Sequence, residues 1–307
     1  MIDILLALYN GEKFLAEQID SILSQTFTDW HLIICDDGSE DNSYKIASEF
    51  AMKFPEKIKV YKNDTPSGSA QANFMGMLKY VEADYIMFSD QDDVWLPEKI
   101  EKTFKKIKQI ESSEDLPLLV HSELSIADRN MNVIHKRFTH YQGLNPVLNN
   151  LNRLLVQNNV TGCTIMMNRE MLEIIRNVPP EKMLMHDWWF ALVAAAFGKI
   201  AFVETPLILY RQHDGNQLGA VNNRSIKGAF RIIRERCRTQ KRVSVTYKQA
   251  ENFCEYYKDM LSEQNLDCIK DYLKIPEKNK LVRVFSLIHG RYLKQNFMAA
   301  VGQLIFS

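Results

Sequence analysis

The segment from Tyr85 to Lys99 reads YIMFSDQDDVWLPEK, and it is the stretch of this chain that best indicates the fold. Its first four residues, Tyr85 to Phe88, are apolar and have the length of a buried strand. The strand is followed by Ser89-Asp90-Gln91-Asp92-Asp93, which places three carboxylates within four residues. Carboxylates this close repel one another unless cations or hydrogen-bond donors compensate them. The pattern therefore predicts a strand that ends in an acidic turn able to bind Mg²⁺ or Mn²⁺.

A structural alternative exists for the same aspartates. They could cap the helix that is expected to start near Pro97, because Asp is favoured at the N-cap and Pro in the first turn. Capping needs one carboxylate, whereas this turn carries three. We therefore favour a metal site at the carboxyl end of a parallel strand, where α/β sheets place their ligands.

Composition and charge indicate a globular protein with two dissimilar parts. The chain has 307 residues, of which 46% are hydrophobic, and it carries 38 basic and 38 acidic residues. Residues 224–307 hold 17 Lys/Arg and 8 Asp/Glu, a net charge of +9, which leaves −9 for residues 1–223. We expect a catalytic α/β domain over 1–223 and a basic helical region over 224–307.

The cysteines and the apolar runs bear on the cellular location. The five cysteines are scattered and form no CxxC pair, which argues against both a disulfide framework and a zinc site. The N-terminus shows no signal-peptide pattern, and no apolar run reaches eighteen residues. These features predict a cytoplasmic protein that can still associate with the inner face of the cell membrane.

Strands and helices alternate through the first 110 residues or so. Apolar strands are expected at residues 2–8, 30–35, 57–61 and 85–88, and helices at residues 12–25, from 39 or 41 to 50, 70–81 and from 97. This alternation predicts a mostly parallel sheet with helices on both faces. Further strands are expected at 116–127, 160–167, 200–203 and 206–210, a helix at 188–197, and helices in the last third.

The polar residues that follow these strands should meet at one edge of the sheet. Tyr9, Asp36, Asp37 and the Asp90–Asp93 turn all occupy such positions. The carboxyl ends of parallel strands form the usual ligand crevice of this architecture. No GxGxxG or GxxxxGK[ST] loop follows any strand, which excludes the two common nucleotide-binding loops.

Four motifs occur in this order: ALYNGEKFLAEQIDSILSQTF from Ala7, ICDDGSEDNS from Ile34, SGSAQAN from Ser67 and YIMFSDQDDVWLPEKI from Tyr85. Together they resemble the inverting glycosyltransferases of family 2, which have the GT-A fold. The resemblance implies that the segment Ala7 to Asn10, including Tyr9, and Asp36 or Asp37 contact the base and ribose of a nucleotide. It also implies that Asp90 and Asp92 form the DxD motif, with Asp92 on the cation and Asp90 nearer the ribose or a metal-bound water.

The assignment of Asp36 and Asp37 to the nucleotide has a structural alternative. Asp36 and Asp37 could instead form a turn that caps the following helix. Asn73, in the SGSAQAN segment, is a further nucleotide-binding candidate, because a loop rich in small residues can bring backbone donors near a phosphate.

The sequence HDWW at His186–Trp189 contains the candidate catalytic base. Asp187 lies between an apolar stretch and two tryptophans, where desolvation would raise its pKa and suit it to accept a proton from a hydroxyl. The family usually has an acidic residue before this Asp, and here that position is His186. Asp187 could also simply cap the helix that follows. Trp188 is a candidate for stacking on a sugar.

Three further segments complete the predicted site. The resemblance places Thr161 and Gly162 beside the donor sugar. Arg211 follows a buried run and could neutralise a diphosphate oxygen. His213, two residues later, could be a third metal ligand. A surface turn is the alternative for both Arg211 and His213.

HDWW and LYRQHDGNQLGA together resemble the bacterial subgroup of rhamnosyltransferases that build cell-wall or capsular polysaccharides. This resemblance implies dTDP-L-rhamnose as donor and a lipid-linked saccharide as acceptor. A UDP-hexose donor is the nearest alternative. A sugar-phosphate nucleotidyltransferase and a non-catalytic nucleotide-sugar-binding protein are the other functions that the acidic turn would fit.

The last third of the chain is basic and amphipathic. A basic run (Lys227, Arg231, Arg234, Arg236, Arg238, Lys241 and Arg242) alternates with apolar residues, and residues 281–306 are apolar with scattered Arg and Lys. Helices of this kind can lie on anionic lipid, or they can form a homo-oligomer interface. No motif supports binding of nucleic acid.

Overall fold

The structure is a computed structural model that describes residues 1–213 and 236–306. Within these residues the chain forms two compact units. The first contains residues 1–138, 161–180 and 199–213, and the second contains 139–160, 181–198 and 236–306. The predicted boundary between 223 and 224 lies outside the described residues. Residues 139–160 and 181–198 belong to the same unit as the C-terminal helices, and no feature of the sequence predicted this.

The first unit is built on the predicted alternation of strands and helices. Its described strands are β1 (Ile2–Leu8), β2 (Trp30–Asp36), β3 (Ile58–Lys62), β4 (Tyr85–Ser89), β5 (Val94–Trp95), β6 (Leu118–Ala127), β7 (Val133–His135), β8 (Met166–Asn168) and β9 (Lys199–Arg211). Its helices are α1 (Leu15–Leu23), α2 (Ser43–Lys53), α3 (Ala70–Met77), α4 (Lys99–Ile110) and α7 (Arg169–Ile175), and α5 (Phe138–Gln142) starts at its border with the second unit.

These strands form a single mixed sheet in the order β3-β2-β1-β4-β8-β6-β9-β5, with β7 paired to β6. The first four strands in sequence are parallel, as predicted, and β1 lies between β2 and β4. Strand β8 is antiparallel to both β4 and β6. The predicted α/β class and mostly parallel sheet are therefore confirmed.

The sheet is covered on both faces because its central strands are apolar on both sides. In β1 the side chains of Ile2, Ile4, Leu6 and Leu8 belong to one core cluster, which includes Leu15 and Ile19 of α1 among other helical residues. Alternate residues of a strand point to the opposite face. On the opposite face, Phe88 of β4 makes an edge contact with Phe74 of α3 at 5.5 Å between ring centroids.

One predicted strand is mostly a turn. Residues 160–167 were expected to be extended, but Gly162–Thr164 form a 3₁₀ turn and the strand β8 begins only at Met166. The Thr161 carbonyl oxygen accepts hydrogen bonds from both the backbone nitrogen and the hydroxyl of Thr164, at 3.0 and 2.6 Å. These local hydrogen bonds replace the bonds to a neighbouring strand that an extended segment would need.

The second unit is helical in the described residues. It contains α6 (Leu151–Leu154), α8 (His186–Phe197), α9 (Arg236–Tyr257), α10 (Glu263–Leu273), α11 (Lys280–His289) and α12 (Phe297–Phe306). Trp189 of α8 is buried against Phe253 and Tyr257 of α9. Tyr272 of α10 stacks on Tyr247 at 4.5 Å. The predicted C-terminal helical region is confirmed, and none of its described helices is long and apolar enough to span a bilayer.

Candidate active site

A side chain from the acidic turn joins the ends of β1 and β4. The amide of Gln91 accepts a hydrogen bond from the Tyr9 backbone nitrogen and donates one to the Tyr9 carbonyl oxygen, both at 2.8 Å. A Cβ on Gly11 would lie 2.6 Å from the Gln91 side chain, so only glycine leaves room for this arrangement. The loop after β1 and the acidic turn are thus held as one structure across 82 positions of sequence.

The loop after β1 is also fixed to the turn after β2. Asn10 has a positive φ of 48°. Its backbone nitrogen donates to the Ser39 hydroxyl, and its side-chain oxygen accepts from the Glu40 nitrogen, both at 2.9 Å. Tyr9 is 54% exposed, so its ring is open to solvent beside this fixed loop, and Ala7 is half-buried.

The aspartates after β2 are buried and hydrogen-bonded. Asp36, the last residue of β2, accepts from the backbone nitrogens of Gly38 and Ser39, which forms the turn of the alternative, but neither aspartate caps α2, whose N-cap is Asn42. Asp37 accepts from the side-chain nitrogen of Asn63 and from both the backbone nitrogen and the hydroxyl of Ser67, at 2.6 to 2.8 Å. Asp37 therefore closes the loop at 63–69 over the end of β2.

Asn73 belongs to the same arrangement. Its side-chain nitrogen donates to the Cys35 carbonyl oxygen at 2.9 Å, and its side-chain oxygen accepts from Asn63 at 3.2 Å. The roles of Asp36, Asp37 and Asn73 in nucleotide binding stay predictions. What the structure adds is that all three hold the loops that line the edge of the sheet.

The acidic turn meets the end of β9. His213 Nε2 lies 2.7 Å from Asp92 Oδ2, and both side chains are about one-sixth exposed, at 17% and 16%. The His213 ring also packs on Phe14 at 4.9 Å between centroids. Two of the three predicted metal ligands, which come from distant parts of the sequence, are therefore brought together at a partly open position.

Arg211 is buried behind this pair. All three of its guanidinium nitrogens donate to protein oxygens, and its backbone nitrogen donates to Asp93 Oδ1 at 3.2 Å. The guanidinium acceptors are the Asp92 carbonyl at 2.8 Å, the Arg129 carbonyl at 2.6 Å and a Glu17 carboxylate oxygen. The Arg211 side chain is 3% exposed. In this structure Arg211 holds the acidic turn against α1 and β9, and its contact with a diphosphate stays a prediction.

The other two aspartates lie near a cysteine. Ligand atoms of Asp90, Asp93 and Cys163 all lie within 4.8 Å of one another. Asp93 is fully buried, and burial followed by the charges of Asp92 and Asp90 raises its pKa well above the ordinary value. Burial likewise raises the pKa of the Cys163 thiol. In the absence of a bound cation these shifts favour the neutral acid and the neutral thiol.

The chemistry of the donor set fits a hard divalent cation at Asp92 and His213. The carboxylate of Asp92 and the imidazole of His213 suit Mn²⁺ or Mg²⁺ better than a site that needs a thiolate, whereas Asp90 lies with Asp93 and Cys163 in this structure. Asp92 and His213 are accessible to an ion, whereas Asp93 and Cys163 are buried. We therefore expect the cation to bind at Asp92 and His213.

A buried lysine lies beneath the acidic turn. Lys99, at the start of α4, is fully buried, and its ammonium nitrogen has no hydrogen-bond partner among the described residues. The nitrogen lies 3.9 Å from the centre of the Trp95 ring. Burial lowers its pKa to about 7, while the charges of Cys163 and Asp93 act in the opposite direction. Lys99 is thus a second buried basic residue, besides Arg211, near the acidic turn.

The predicted base lies in the second unit. Asp187 is in the first turn of α8, and its carboxylate accepts a hydrogen bond from the Trp188 backbone nitrogen at 2.6 Å. The N-cap itself is Met185, without a side-chain cap. Trp188 is half-buried, and its indole nitrogen donates to the Leu154 carbonyl oxygen at 2.6 Å. His186 is buried, which lowers its pKa to about 4.

A cavity of about 290 Å³ opens just before this helix. Its walls come from the segment Glu181–Leu184 and from Ser244, Val245, Lys248, Gln249 and Asn252 of α9. The Gln249 side chain fixes the cavity edge by accepting a hydrogen bond from the Leu184 nitrogen at 2.9 Å. Leu184, the cavity-lining residue nearest to Asp187 in the sequence, precedes it by three positions.

Thr161 and Gly162, predicted to lie beside the donor sugar, are half-buried at the start of the 3₁₀ turn that carries Cys163. Their role stays a prediction.

Sequence reasoning missed Gln91, Lys99 and Glu17. Gln91 and Lys99 lie inside the segment that was singled out, so their position was a signal, whereas nothing in the sequence marks Glu17 as the partner of Arg211.

A comparison with known proteins assigns the family. The profile of glycosyl transferase family 2 matches residues 3–175, more than half of the chain. The chain belongs to glycosyl transferase family 2. The match covers the four motifs, the acidic turn and Thr161–Gly162, so the predicted family and the predicted enzyme class, a glycosyltransferase, are confirmed.

Relatives of this family-2 enzyme are found among curated proteins and solved structures. A dTDP-rhamnosyl transferase, RfbG of Shigella flexneri, is 29% identical over 243 residues, which cover 74% of this chain and 78% of RfbG. S. aureus TarS residues 1–349 superpose with a TM-score of 0.56 at 18% identity, over 93% of this chain and 72% of that one. A mannosyltransferase from Pyrobaculum calidifontis, in complex with GDP-Man and Mn²⁺, gives 0.54 at 14% identity, over 94% and 72%. The two structures show the GT-A fold.

Proposed function

We propose that this enzyme transfers L-rhamnose from dTDP-L-rhamnose to a lipid-linked saccharide, with inversion at the anomeric carbon, in the synthesis of a bacterial polysaccharide. The observation that carries the proposal is the approach of His213 to Asp92 at the end of the sheet. It unites the DxD motif with a distant imidazole in a donor set that suits a divalent cation. The choice of rhamnose is supported by the relative RfbG, a dTDP-rhamnosyl transferase.

The residues at the sheet edge would bind the donor. We assign the base and ribose to the loop of Tyr9 and Asn10 and to the buried Asp36 and Asp37 behind it. Asp90, Asp92 and His213 would hold Mg²⁺ or Mn²⁺, which when bound would neutralise the charge of the departing nucleoside diphosphate. Gln91 fixes the nucleotide loop to the acidic turn, so one rigid structure would carry both halves of the donor site.

Asp187 would act as the general base. It accepts the proton of an acceptor hydroxyl, and the oxygen attacks the anomeric carbon on the side opposite the diphosphate. The bond between that carbon and the phosphate oxygen breaks, and the electrons leave with the nucleotide. We assign the acceptor to the cavity at Glu181–Leu184, because this segment leads into α8, whose first turn carries Asp187.

A transfer assay with a panel of nucleotide sugars tests the proposal. The panel contains dTDP-L-rhamnose, UDP-hexoses, and a nucleoside triphosphate with a sugar 1-phosphate, each with and without Mn²⁺. A crude lipid-linked saccharide serves as acceptor. We expect mass spectrometry to find a deoxyhexose added only with dTDP-L-rhamnose. Transfer from a UDP-hexose would refute the rhamnose assignment, and release of pyrophosphate from a nucleoside triphosphate would indicate a nucleotidyltransferase. Donor binding with no turnover would indicate a binding protein.

The base is tested separately by Asp187→Asn. This variant keeps the side-chain size but cannot accept the proton, so transfer should fall by roughly 10² to 10⁴-fold while donor affinity is unchanged. Asp267→Asn, which makes the same change at an exposed carboxylate of α10 away from the cavity, is the matched control and should keep its activity. Transfer at the normal rate by Asp187→Asn would assign the base to another residue.

A further inference from the structure

The two C-terminal helices carry an exposed apolar surface. Leu281, Phe285 and Ile288 of α11 recur at a spacing that places them on one face of the helix, and Leu281 and Phe285 are 84% and 66% exposed. Leu287, on another side of the helix, is buried. Exposed residues Phe297, Met298 and Ile305 of α12 add to this set. Of the seventeen large hydrophobic side chains exposed in the described part of the chain, seven lie between 281 and 305, which is too many for scattered surface residues.

The charged side chains in the segment that carries this apolar surface are all basic. Residues 278–306 contain five basic side chains and no Asp or Glu. The five are Lys278, Lys280, Arg283, Arg291 and Lys294. Exposed apolar side chains flanked by cations are what an anionic lipid surface binds, because the apolar groups enter the acyl boundary and the cations meet the headgroups.

Both helices are fixed to the second unit by polar contacts that leave these side chains outside. The Gly290 carbonyl oxygen, after α11, accepts from the Asn152 side chain at 2.8 Å. The Tyr292 hydroxyl donates to the Cys268 carbonyl oxygen at 2.6 Å, and the Tyr292 carbonyl oxygen accepts from Gln303 of α12 at 2.9 Å. The apolar face is therefore held in place by the folded unit.

We propose that the face formed by Leu281, Phe285 and Ile288, together with the exposed apolar residues of α12, binds the surface of a membrane that contains anionic phospholipid. A second copy of the chain is the competing occupant. Pairing of two identical faces would bring two segments together whose charged side chains are all basic, which is unfavourable. The face binds lipid independently of which donor sugar the enzyme uses.

Sedimentation of the full chain with lipid vesicles tests this surface. We expect binding to vesicles of phosphatidylglycerol and phosphatidylcholine, and little binding to phosphatidylcholine alone. The triple variant Leu281→Gln/Phe285→Gln/Ile288→Gln should reduce partition into the anionic vesicles at least tenfold or so. The matched control Met52→Gln/Val133→Gln/Val147→Gln also removes three exposed apolar side chains and should bind as the wild type does.

A double variant tests the contribution of the basic side chains. Lys280→Gln/Arg291→Gln should weaken binding to anionic vesicles by roughly fivefold for each charge and should reduce its dependence on salt. Equal partition of the wild type and the triple variant would overturn the proposal. So would a wild-type dimer in sedimentation velocity that the triple variant converts to a monomer, because the face would then join two copies. Donor hydrolysis, which needs no lipid, should be the same in all these variants.

Discussion

His213 and Asp92 are 121 positions apart in the chain, and yet His213 Nε2 lies 2.7 Å from Asp92 Oδ2. Carboxylate and imidazole at this distance can hold a divalent cation together. We expect Asp92→Ala to abolish metal-dependent nucleotide binding and His213→Ala to weaken Mn²⁺ binding at least tenfold or so, with the fold retained. Calorimetry with Mn²⁺, with and without nucleotide, measures both. Because both side chains act on one ion, the double variant should lose little more than Asp92→Ala alone.

A suitable control for these variants is Asp128→Asn. Asp128 is an exposed carboxylate in the same unit and accepts hydrogen bonds from Asn130 and Asn132. Its replacement should not change the Mn²⁺ affinity. An unchanged affinity in Asp92→Ala would remove the assignment of the metal to the DxD motif.

Gln91 should matter for donor binding more than for stability. Gln91→Leu removes the two hydrogen bonds to the Tyr9 backbone, and their loss should lower the free energy of unfolding by about 1 to 3 kcal/mol in all. The nucleotide loop would then move independently of the acidic turn, so we expect KM for the donor to rise several-fold with a smaller change in kcat. Steady-state kinetics and urea unfolding measure the two effects.

Gln157→Leu is the matched control for Gln91→Leu. Gln157 accepts a hydrogen bond from the Gln295 backbone nitrogen at 3.0 Å, so its loss removes the same type of side-chain-to-backbone contact in the second unit. Because it removes one such bond instead of two, it should lower the free energy of unfolding by about 0.5 to 1.5 kcal/mol, and it should leave the donor KM unchanged. Equal donor KM in Gln91→Leu and the wild type would show that this contact does not organise the donor site.

Lys99→Met should stabilise the protein at neutral pH. Burial lowers the folded pKa of Lys99 to about 7 from 10.5, so below pH 7 the folded state carries a buried charge that costs up to roughly 5 kcal/mol. Between pH 7 and 10.5 the unfolded state binds more protons, and stability from this group rises with pH. Met fills a similar volume without the charge, and we expect a gain of about 1 to 4 kcal/mol at pH 7.

The pH profile distinguishes this effect from ordinary packing. In urea unfolding at pH 7 and pH 9, the advantage of Lys99→Met over the wild type should shrink as the pH rises. Lys102→Met, on the same helix, replaces a partly exposed lysine that is bonded to Glu98 and should show no such trend. A Lys99→Met protein that is destabilised equally at both pH values would show that the ammonium stabilises the acidic turn.

His121 should make the protein sensitive to acid. It is buried on β6 against Phe202, its Nε2 has no hydrogen-bond partner among the described residues, and burial lowers its pKa to about 3 from 6.5. Between these values only the unfolded state binds the proton, so stability is lost as the pH falls below 6.5. Between pH 7 and pH 5 the loss is about 2 kcal/mol.

His121→Leu should remove this part of the acid sensitivity. Urea unfolding at pH 7 and pH 5 measures the difference, and we expect the variant to lose about 2 kcal/mol less than the wild type over this range. The control is His140→Leu, which replaces an exposed histidine and should leave the pH dependence as it is. An unchanged pH dependence in His121→Leu would mean that other groups govern unfolding in acid.

Local sequence determined the parallel half of the sheet. The strands at Ile2–Leu8, Trp30–Asp36 and Tyr85–Ser89 lie within one residue of their predicted bounds, because each is an apolar run closed by polar turn residues. The family and the DxD position also followed from local motifs. The turn at Gly162–Thr164 was not predicted, because the segment is apolar enough for a strand and its turn depends on hydrogen bonds of Thr161 and Thr164.

By itself, then, the sequence determined the fold class, the enzyme family and the segments that supply the site, since these depend on apolar period and on residues close together in the chain. Only the tertiary structure decided that Asp92 meets His213, that Arg211 is buried against Glu17, and that Lys99 lies beneath the acidic turn. Each of these contacts joins a side chain to an environment built by distant strands and helices. The free energy of burying a charge depends on that environment, and no short stretch of sequence contains it.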